Sequence, residues 1–238
     1  RATDVVVPSR NLARIARETW RLPRVPLIPN GLDAGRFSRN ADAGRAFRAL
    51  HGIPDDALVL GAVGHLRPVK NLGRLIRSLA DAPFDGDKRP HLVIVGDGPE
   101  RATLARIAEA RPEDVQVTFT GHLEDLAPAY SAFDVLGISS DSEQLPISLL
   151  EAMAAGVPVV ATDVGDVSAT LPAEARRHVV PLGPGVERDL GAALVELCGN
   201  PERRAELGAL GAARVREVYA LDAMVAAYDR VYEAARKR

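Results

Sequence analysis

The sequence holds one cysteine, Cys198, among 238 residues. A single thiol excludes an internal disulfide and a cysteine-based zinc cluster. It lies in an apolar helical stretch, where a buried small hydrophobe is the expected reading. Lysine is scarce too. Of 30 basic residues, only Lys70, Lys88 and Lys237 are lysines. No apolar run approaches the length of a membrane span. Net charge is only −2, with both signs mixed throughout. A nucleic-acid binder would show a basic excess or patch, so no nucleic-acid partner is expected. Methionine occurs only as Met153 and Met224, and the chain is expected to be a fragment of something longer. No secretory signal is expected from its opening residues, Arg1-Ala-Thr-Asp4. The expected compartment is the cytoplasm, with a peripheral place at the inner membrane face as a second expectation.

Hydrophobic residues are plentiful, at 47%, enough for a full core. Val5-Val-Val7 reads as a short strand with no sheet before it, and Ser9 as the N-cap of a helix running to about Trp20. The cluster Pro23, Pro26, Pro29 and Asn30-Gly31 then reads as a boundary. Beyond it the pattern alternates. Strand-like runs fall at Leu58–Val63, His91–Val95, Val115–Thr120, Asp134–Ile138, Val157–Ala161 and His178–Val180. Helical runs fall at Asn71–Asp81, Pro99–Ala110, Asp125–Phe133 and Ile147–Ala155. Runs of Val, Leu and Ile alternating with helices predict an α/β fold: a doubly wound, Rossmann-like parallel sheet covered on both faces. Three helices close the chain: Asp189–Leu197, one from Pro201 to about Tyr219, and one carrying Leu221, Met224, Val225, Tyr228, Val231 and Tyr232. That last spacing makes one apolar stripe, which needs a surface to cover.

Two glutamates stand out. Glu143 and Glu151 bracket seven residues, Gln-Leu-Pro-Ile-Ser-Leu-Leu. The first follows a strand-like run, and the second lies in the helix that Pro146 opens. In open parallel sheets, ligands bind beside the carboxyl ends of the strands. A helix N-terminus there offers N–H groups to an anion. Two carboxylates can read the neutral, hydroxyl-bearing parts of the same ligand, and an anion flanked by hydroxyls describes a nucleotide sugar. The bland reading is a solvated loop charge and a helix-surface charge.

Arg67 and Lys70 follow the strand Leu58–Val63 through Gly64, where backbone can approach a ligand. Cations are not favoured near a helix N-terminus, so their presence there suggests an anion. A compact lysine at position 70, in a chain that uses arginine almost everywhere, strengthens the hint. Solvated charges are the alternative. Gly96-Asp-Gly98-Pro99 lacks the third glycine of a dinucleotide fingerprint and reads as a tight turn. Gly121-His122 reads as a turn near a base or sugar. His65 and His122 lack a third metal ligand at suitable spacing, and Asp141-Ser-Glu143 only faintly resembles an acidic metal motif. No metal site is expected.

Together these segments resemble a known family, over about residues 24–238. Ile28-Pro-Asn-Gly-Leu-Asp33, Gly64-His-Leu-Arg67-Pro-Val-Lys70-Asn71, Leu92-Val-Ile-Val-Gly-Asp-Gly-Pro99 and Val117-Thr-Phe-Thr-Gly121 come in its order. Ser139-Ser-Asp-Ser-Glu143, continuing through Glu151-Ala-Met-Ala-Ala-Gly156-Val-Pro-Val-Val-Ala-Thr-Asp163, is the most specific block. The chain resembles the C-terminal, donor-binding half of GT-B retaining glycosyltransferases of family 4.

The resemblance implies roles. Arg67 and Lys70 would bind the diphosphate of a UDP-, GDP- or ADP-sugar. Gly64 and Gly121 would line the site. Backbone N–H groups around Ile147, Ser148 and Leu149 would meet phosphate. Glu151 would bind ribose hydroxyls, and Glu143 would face the transferred sugar. Arg67, Lys70 and Glu143 would be the catalytic groups, working with retention of configuration, without metal or cofactor. Residues 1–22 would end an acceptor-binding domain, 23–216 would form the donor domain, and 217–238 would cross back to the missing domain. The acceptor would be a sugar, lipid or small molecule, and the exposed last helix would allow self-association. Gln144 and Pro146 stand where the family often has glycine, which bears on the identity of the sugar. Two other readings remain: a sugar-nucleotide epimerase of the same architecture, and a non-catalytic nucleotide-sugar-binding module. The strand Val5–Val7, taken as belonging to an absent sheet, speaks against the module.

Overall fold

Apolar runs too continuous to alternate can be satisfied only by burial on both faces, and the sheet is built from such runs. In β2 (His91–Val95) every residue from Leu92 on is at most 1% exposed. The computed structural model describes residues 4–84, 89–111 and 113–237. Lys88, and residues 1–3 of the expected 1–22 segment, lie outside them.

The elements in chain order begin with α1 (Arg10–Glu18), α2 (Ala41–Leu50), β1 (Val59–Val63) and α3 (Leu72–Asp81). After β2 come α4 (Arg101–Glu109), β3 (Val117–Gly121), α5 (Ala127–Ala132), β4 (Val135–Ile138) and α6 (Ile147–Ala154). Then follow β5 (Val159–Thr162), α7 (Val167–Thr170), β6 (Val179–Val180), α8 (Val186–Cys198), α9 (Pro201–Val218) and α10 (Leu221–Arg236). All pairings are parallel, and the strand order is β3-β2-β1-β4-β5-β6. That order makes the fold a doubly wound, Rossmann-like sheet, whose direction of winding reverses between β1 and β4. The predicted fold class and all six strand runs hold, with ends displaced by one or two residues.

Cys198 is buried at the end of α8, and burial pushes its thiol up to about 12. It is a core residue. Helix α2 has no counterpart in the predicted runs. Its buried face consists of Gly44 and Phe47, too little to mark a helical period. Its cap was the available signal: the Asn40 side chain accepts from the Ala43 N–H at 3.0 Å.

The run Val5–Val7 is not a strand. Only Val7 pairs, in a single parallel bridge to Leu27. Its N–H donates to the Pro26 carbonyl and its carbonyl accepts from Ile28. The proline-rich segment folds alongside it, so the run finds its partner within this chain. It therefore gives no argument for an absent sheet. Val7, Ala13, Ala16 and Val25 form a small apolar cluster apart from the main core.

Helix α10 carries the predicted stripe but has no fully buried residue. Val225 is 47% and Tyr232 63% exposed. Its base is fastened, since Leu32 bridges Ala220 and the Gly31 N–H approaches Met224 Sδ. No helix among the described residues is long and apolar enough to cross a membrane.

Candidate functional site

The winding reversal places the carboxyl ends of β1 and β4 side by side, and the loops leaving them are tied across the gap. After β1 the chain passes Gly64, then a 3₁₀ turn, Pro68–Lys70. Asn71 is left-handed (φ 44°) and caps α3 through its side chain. After β4, Ser139 Oγ donates to the Asn71 carbonyl at 3.0 Å, and the Asp141 N–H donates to the Val69 carbonyl at 2.8 Å. Arg74 holds the Ser139 carbonyl and the Asp141 carboxylate, at 2.8 and 2.6 Å. Asp141 is thus engaged structurally.

These ties set one cation against one carboxylate. Lys70 Nζ donates to Glu143 Oε1 at 2.7 Å, and Ser140 Oγ donates to the same oxygen at 2.7 Å. Their side chains are 26% and 11% exposed. Gly64 and Ser148 line the same recess. Ser148 belongs to the first turn of α6. Pro146, at φ −65°, is the N-cap and supplies no side-chain cap. Ile147 is 54% exposed, Ser148 half-buried and Leu149 buried. The Leu149 N–H donates to the Pro146 carbonyl at 3.2 Å, and the Ile147 and Ser148 N–H groups, with no partner among the described residues, are left for an anion.

Glu151 lies one turn further along α6. The Tyr130 phenol donates to its Oε2 at 2.8 Å. Burial raises the Glu151 carboxyl above its ordinary value, opposed by the Tyr130 hydrogen bond and the Arg36 charge. Burial and then the Glu151 charge push the Tyr130 phenol well above its own ordinary value.

The loop carrying Glu143 is pinned from behind. Ser9 Oγ donates to Gln144 Oε1 at 2.8 Å. The Asp166 N–H donates to the Gln144 carbonyl at 2.9 Å. Gly165, at φ +58°, lies so close that a Cβ would stand 2.3 Å from the Glu143 carbonyl oxygen. Asp166 in turn accepts from the Arg10 and Asn11 N–H groups, at 2.6 and 3.0 Å. Gln144 therefore holds the loop.

Arg67 is placed apart from Lys70. It is exposed, and it lines a separate recess of about 180 Å³ with Pro68, Arg77 and Glu100. The residue before a proline is held extended, and Arg67 is (φ −103°, ψ 155°), so the turn separates the two cations. Gly121 ends β3 at φ +75°, and its carbonyl accepts from the Gly96 N–H at 2.8 Å. Beside it a cleft of about 720 Å³ runs along the ends of β1 and β2. Gly64, His65, Gly96, His122, Leu123 and Leu126 line it. The structure thus unites Lys70, Glu143, Gly64 and Ser148, with Glu151 one turn behind. Sequence reasoning missed Tyr130 and Ser140. Tyr130 sits in a helical run among apolar neighbours and reads as core. Ser140 carried the only available signal, three residues before Glu143.

A doubly wound sheet with a cation, a carboxylate and an open helix end at its switch point has the features of a ligand site at the place where open α/β sheets bind their ligands. The model of the family "glycosyl transferases group 1" matches residues 45–213, and this chain belongs to that family. It is 35% identical over 226 residues to D-inositol 3-phosphate glycosyltransferase of Stackebrandtia nassauensis, covering 86% of this chain and 48% of that protein. Sucrose-phosphate synthase of Thermosynechococcus elongatus superposes with a TM-score of 0.82 at 28% identity, over 99% of this chain and 59% of that one. Anabaena HepE, in complex with UDP-glucose, superposes at 0.83 over 100% of this chain and 64% of its own; at 20% identity it shows the fold alone. The chain spans about half the length of the curated relatives it matches.

Proposed function

We propose that this chain holds the nucleotide-sugar donor of a glycosyltransferase that transfers sugar with retention of configuration. The observation that carries this reading is the pair Lys70–Glu143 facing the uncapped first turn of α6 across the β1/β4 reversal. Lys70 and the α6 N–H groups hold the diphosphate, and Arg67 reaches it from the neighbouring recess. These cationic and N–H groups stabilise the charge that develops on the leaving diphosphate. Glu143 faces the sugar, Glu151 holds the ribose, and the cleft past Gly121 takes the base. Family membership favours transfer over epimerisation. The acceptor, a sugar, lipid or small molecule, binds to a unit of which residues 1–22 form the end; residues 23–216 are the donor unit. Residues 217–238 cross back to the acceptor unit, and α10 is a surface for self-association without it. The work is done in the cytoplasm, at the inner membrane face if the acceptor is a lipid.

Calorimetry with UDP, GDP and ADP tests the reading. One of the three is expected to bind equally well with and without EDTA. Binding that needs a divalent ion would overturn the metal-free site.

The two glutamates divide the ligand between them. Glu151→Ala should weaken binding of the bare diphosphate, because the ribose is part of it. Glu143→Gln should leave the bare diphosphate bound as tightly or more tightly, since it frees Lys70 and removes a negative charge. The same substitution should weaken the sugar-bearing donor. Equal losses of the bare diphosphate in both variants would break this division.

A further inference from the structure

Glu151 meets the site with one of its two oxygens already engaged. Tyr130 donates to Oε2 at 2.8 Å, with the Ser148 carbonyl a longer second acceptor at 3.3 Å, while Oε1 has no hydrogen-bond partner among the described residues. Tyr130 itself is 0% exposed. Its ring is held edge-on by Phe37 at 5.7 Å and by Phe133 at 5.6 Å. Those two come from different places, the end of the 3₁₀ turn Ala34–Phe37 and the C-cap of α5. The phenol oxygen is therefore a fixed point. A glutamate side chain has several rotatable bonds, and a half-buried one needs an anchor to present one oxygen in one place.

We propose that Tyr130 is a positioning residue for nucleotide recognition: it pins Glu151 through Oε2 so that Oε1 meets the ribose hydroxyls. This rests on the reading of Glu151 as the ribose ligand. Tyr130 is buried and touches no ligand itself. The competing role is structural, a core tyrosine whose hydroxyl found the nearest acceptor. A structural role would not distinguish ligands with ribose hydroxyls from ligands without them.

Tyr130→Phe keeps the ring and its aromatic contacts and removes only the hydroxyl. Calorimetry on residues 1–238 uses the base selected among UDP, GDP and ADP, its 2′,3′-dideoxy analogue, and inorganic pyrophosphate. The full diphosphate should bind about 3- to 10-fold more weakly to Tyr130→Phe, the worth of one typical net hydrogen bond. Pyrophosphate and the dideoxy analogue should bind wild type and variant alike. Glu151→Ala is the control. If it too leaves the diphosphate unaffected, the ribose reading fails and this proposal with it. If Glu151→Ala weakens binding and Tyr130→Phe does not, the positioning role alone fails. Equal weakening of all three ligands by Tyr130→Phe assigns the hydroxyl to the fold and also overturns the proposal.

A pH series gives a second readout. The groups acting on Glu151 are the Tyr130 phenol from α5 and the Arg36 guanidinium from the 3₁₀ turn. Ribose hydroxyls need the carboxylate as acceptor, so the preference for the full diphosphate over its dideoxy analogue should fade as pH falls through the raised Glu151 value. Without the Tyr130 hydrogen bond, which favours the carboxylate, that fading should begin at a higher pH. Superimposable profiles would refute the role.

Discussion

Lys70→Ala is expected to weaken binding of a nucleoside diphosphate by about 10- to 150-fold, since a hydrogen bond to a charged group contributes roughly 1.5–3 kcal/mol. The structure places this effect toward the upper end. Lys70 is held against Glu143 at 2.7 Å, and that carboxylate is only 11% exposed. Removing the ammonium deletes a donor and leaves a negative charge, with Ser140 still on it, beside the phosphates. The double variant Lys70→Ala/Glu143→Gln separates the two contributions. It should recover the part due to repulsion and not the part due to the lost donor. Lys70→Arg should not restore full binding, because a planar fork does not fill the place of a compact ammonium. Partial exposure limits the effect on folding. Lys70 is a quarter exposed and Ser140 still donates to the carboxylate, so the cost lies between the ~1 kcal/mol of an exposed pair and the roughly 3–5 kcal/mol of a fully buried one. Unaltered affinity in Lys70→Ala would return the residue to the solvated surface.

The sheet was legible because burial on both faces writes itself as continuous Val, Leu and Ile runs. β2 is the clearest instance, with Leu92 to Val95 all at most 1% exposed. The placement of Lys70 and Glu143 past strand ends was legible by type and position: one of three lysines in an arginine-rich chain, and a carboxylate just past a strand. What sequence could not carry was direction. Arg67 and Lys70 are three residues apart, and spacing alone assigns both to one anion. The pre-proline backbone at Arg67 sets its side chain in the neighbouring recess, so a shared anion would be met from two sides. Tyr130 was hidden for the opposite reason. Its ring obeys the core pattern fully, and only its hydroxyl belongs to the site. Gln144 was ambiguous between ligand and scaffold, and its bond to Ser9, 135 residues away, is a tertiary fact that no local pattern encodes. The same holds for Val5–Val7, whose composition says strand while its one bridge among the described residues is from Val7 to Leu27, in the proline-rich segment.

Residues 1–238 alone are expected to bind donor and to turn over no sugar. Holding acceptor and donor in near-attack geometry can supply about 7–11 kcal/mol of a barrier, which is many decades of rate. The groups proposed to hold the donor are all on one side: Lys70 and Glu143 sit at the carboxyl edge of a single sheet, with Glu151 one turn along α6. Relatives such as the Stackebrandtia nassauensis enzyme are about twice as long as the stretch matched here, enough for a second unit over that edge. The strand-like start no longer supports this, since Val7 pairs with Leu27. Helix α10 does. Its stripe, with Val225 47% and Tyr232 63% exposed, has no cover among the described residues, which is what a helix crossing to a further unit would show. The tie from Ser9, Arg10 and Asn11 to Gln144 and Asp166 links the chain's first helix directly to the loop that presents Glu143. A unit joined there would close on the sugar, exclude water and bring the acceptor to it. The measurement is a sugar-transfer assay on residues 1–238 with the donor that calorimetry identifies, against the same chain extended by the region relatives carry. Donor binding should be similar in both, and transfer should occur only in the longer one. Robust transfer by residues 1–238 to any acceptor would sink the two-unit mechanism, because a single sheet edge would then suffice for the chemistry.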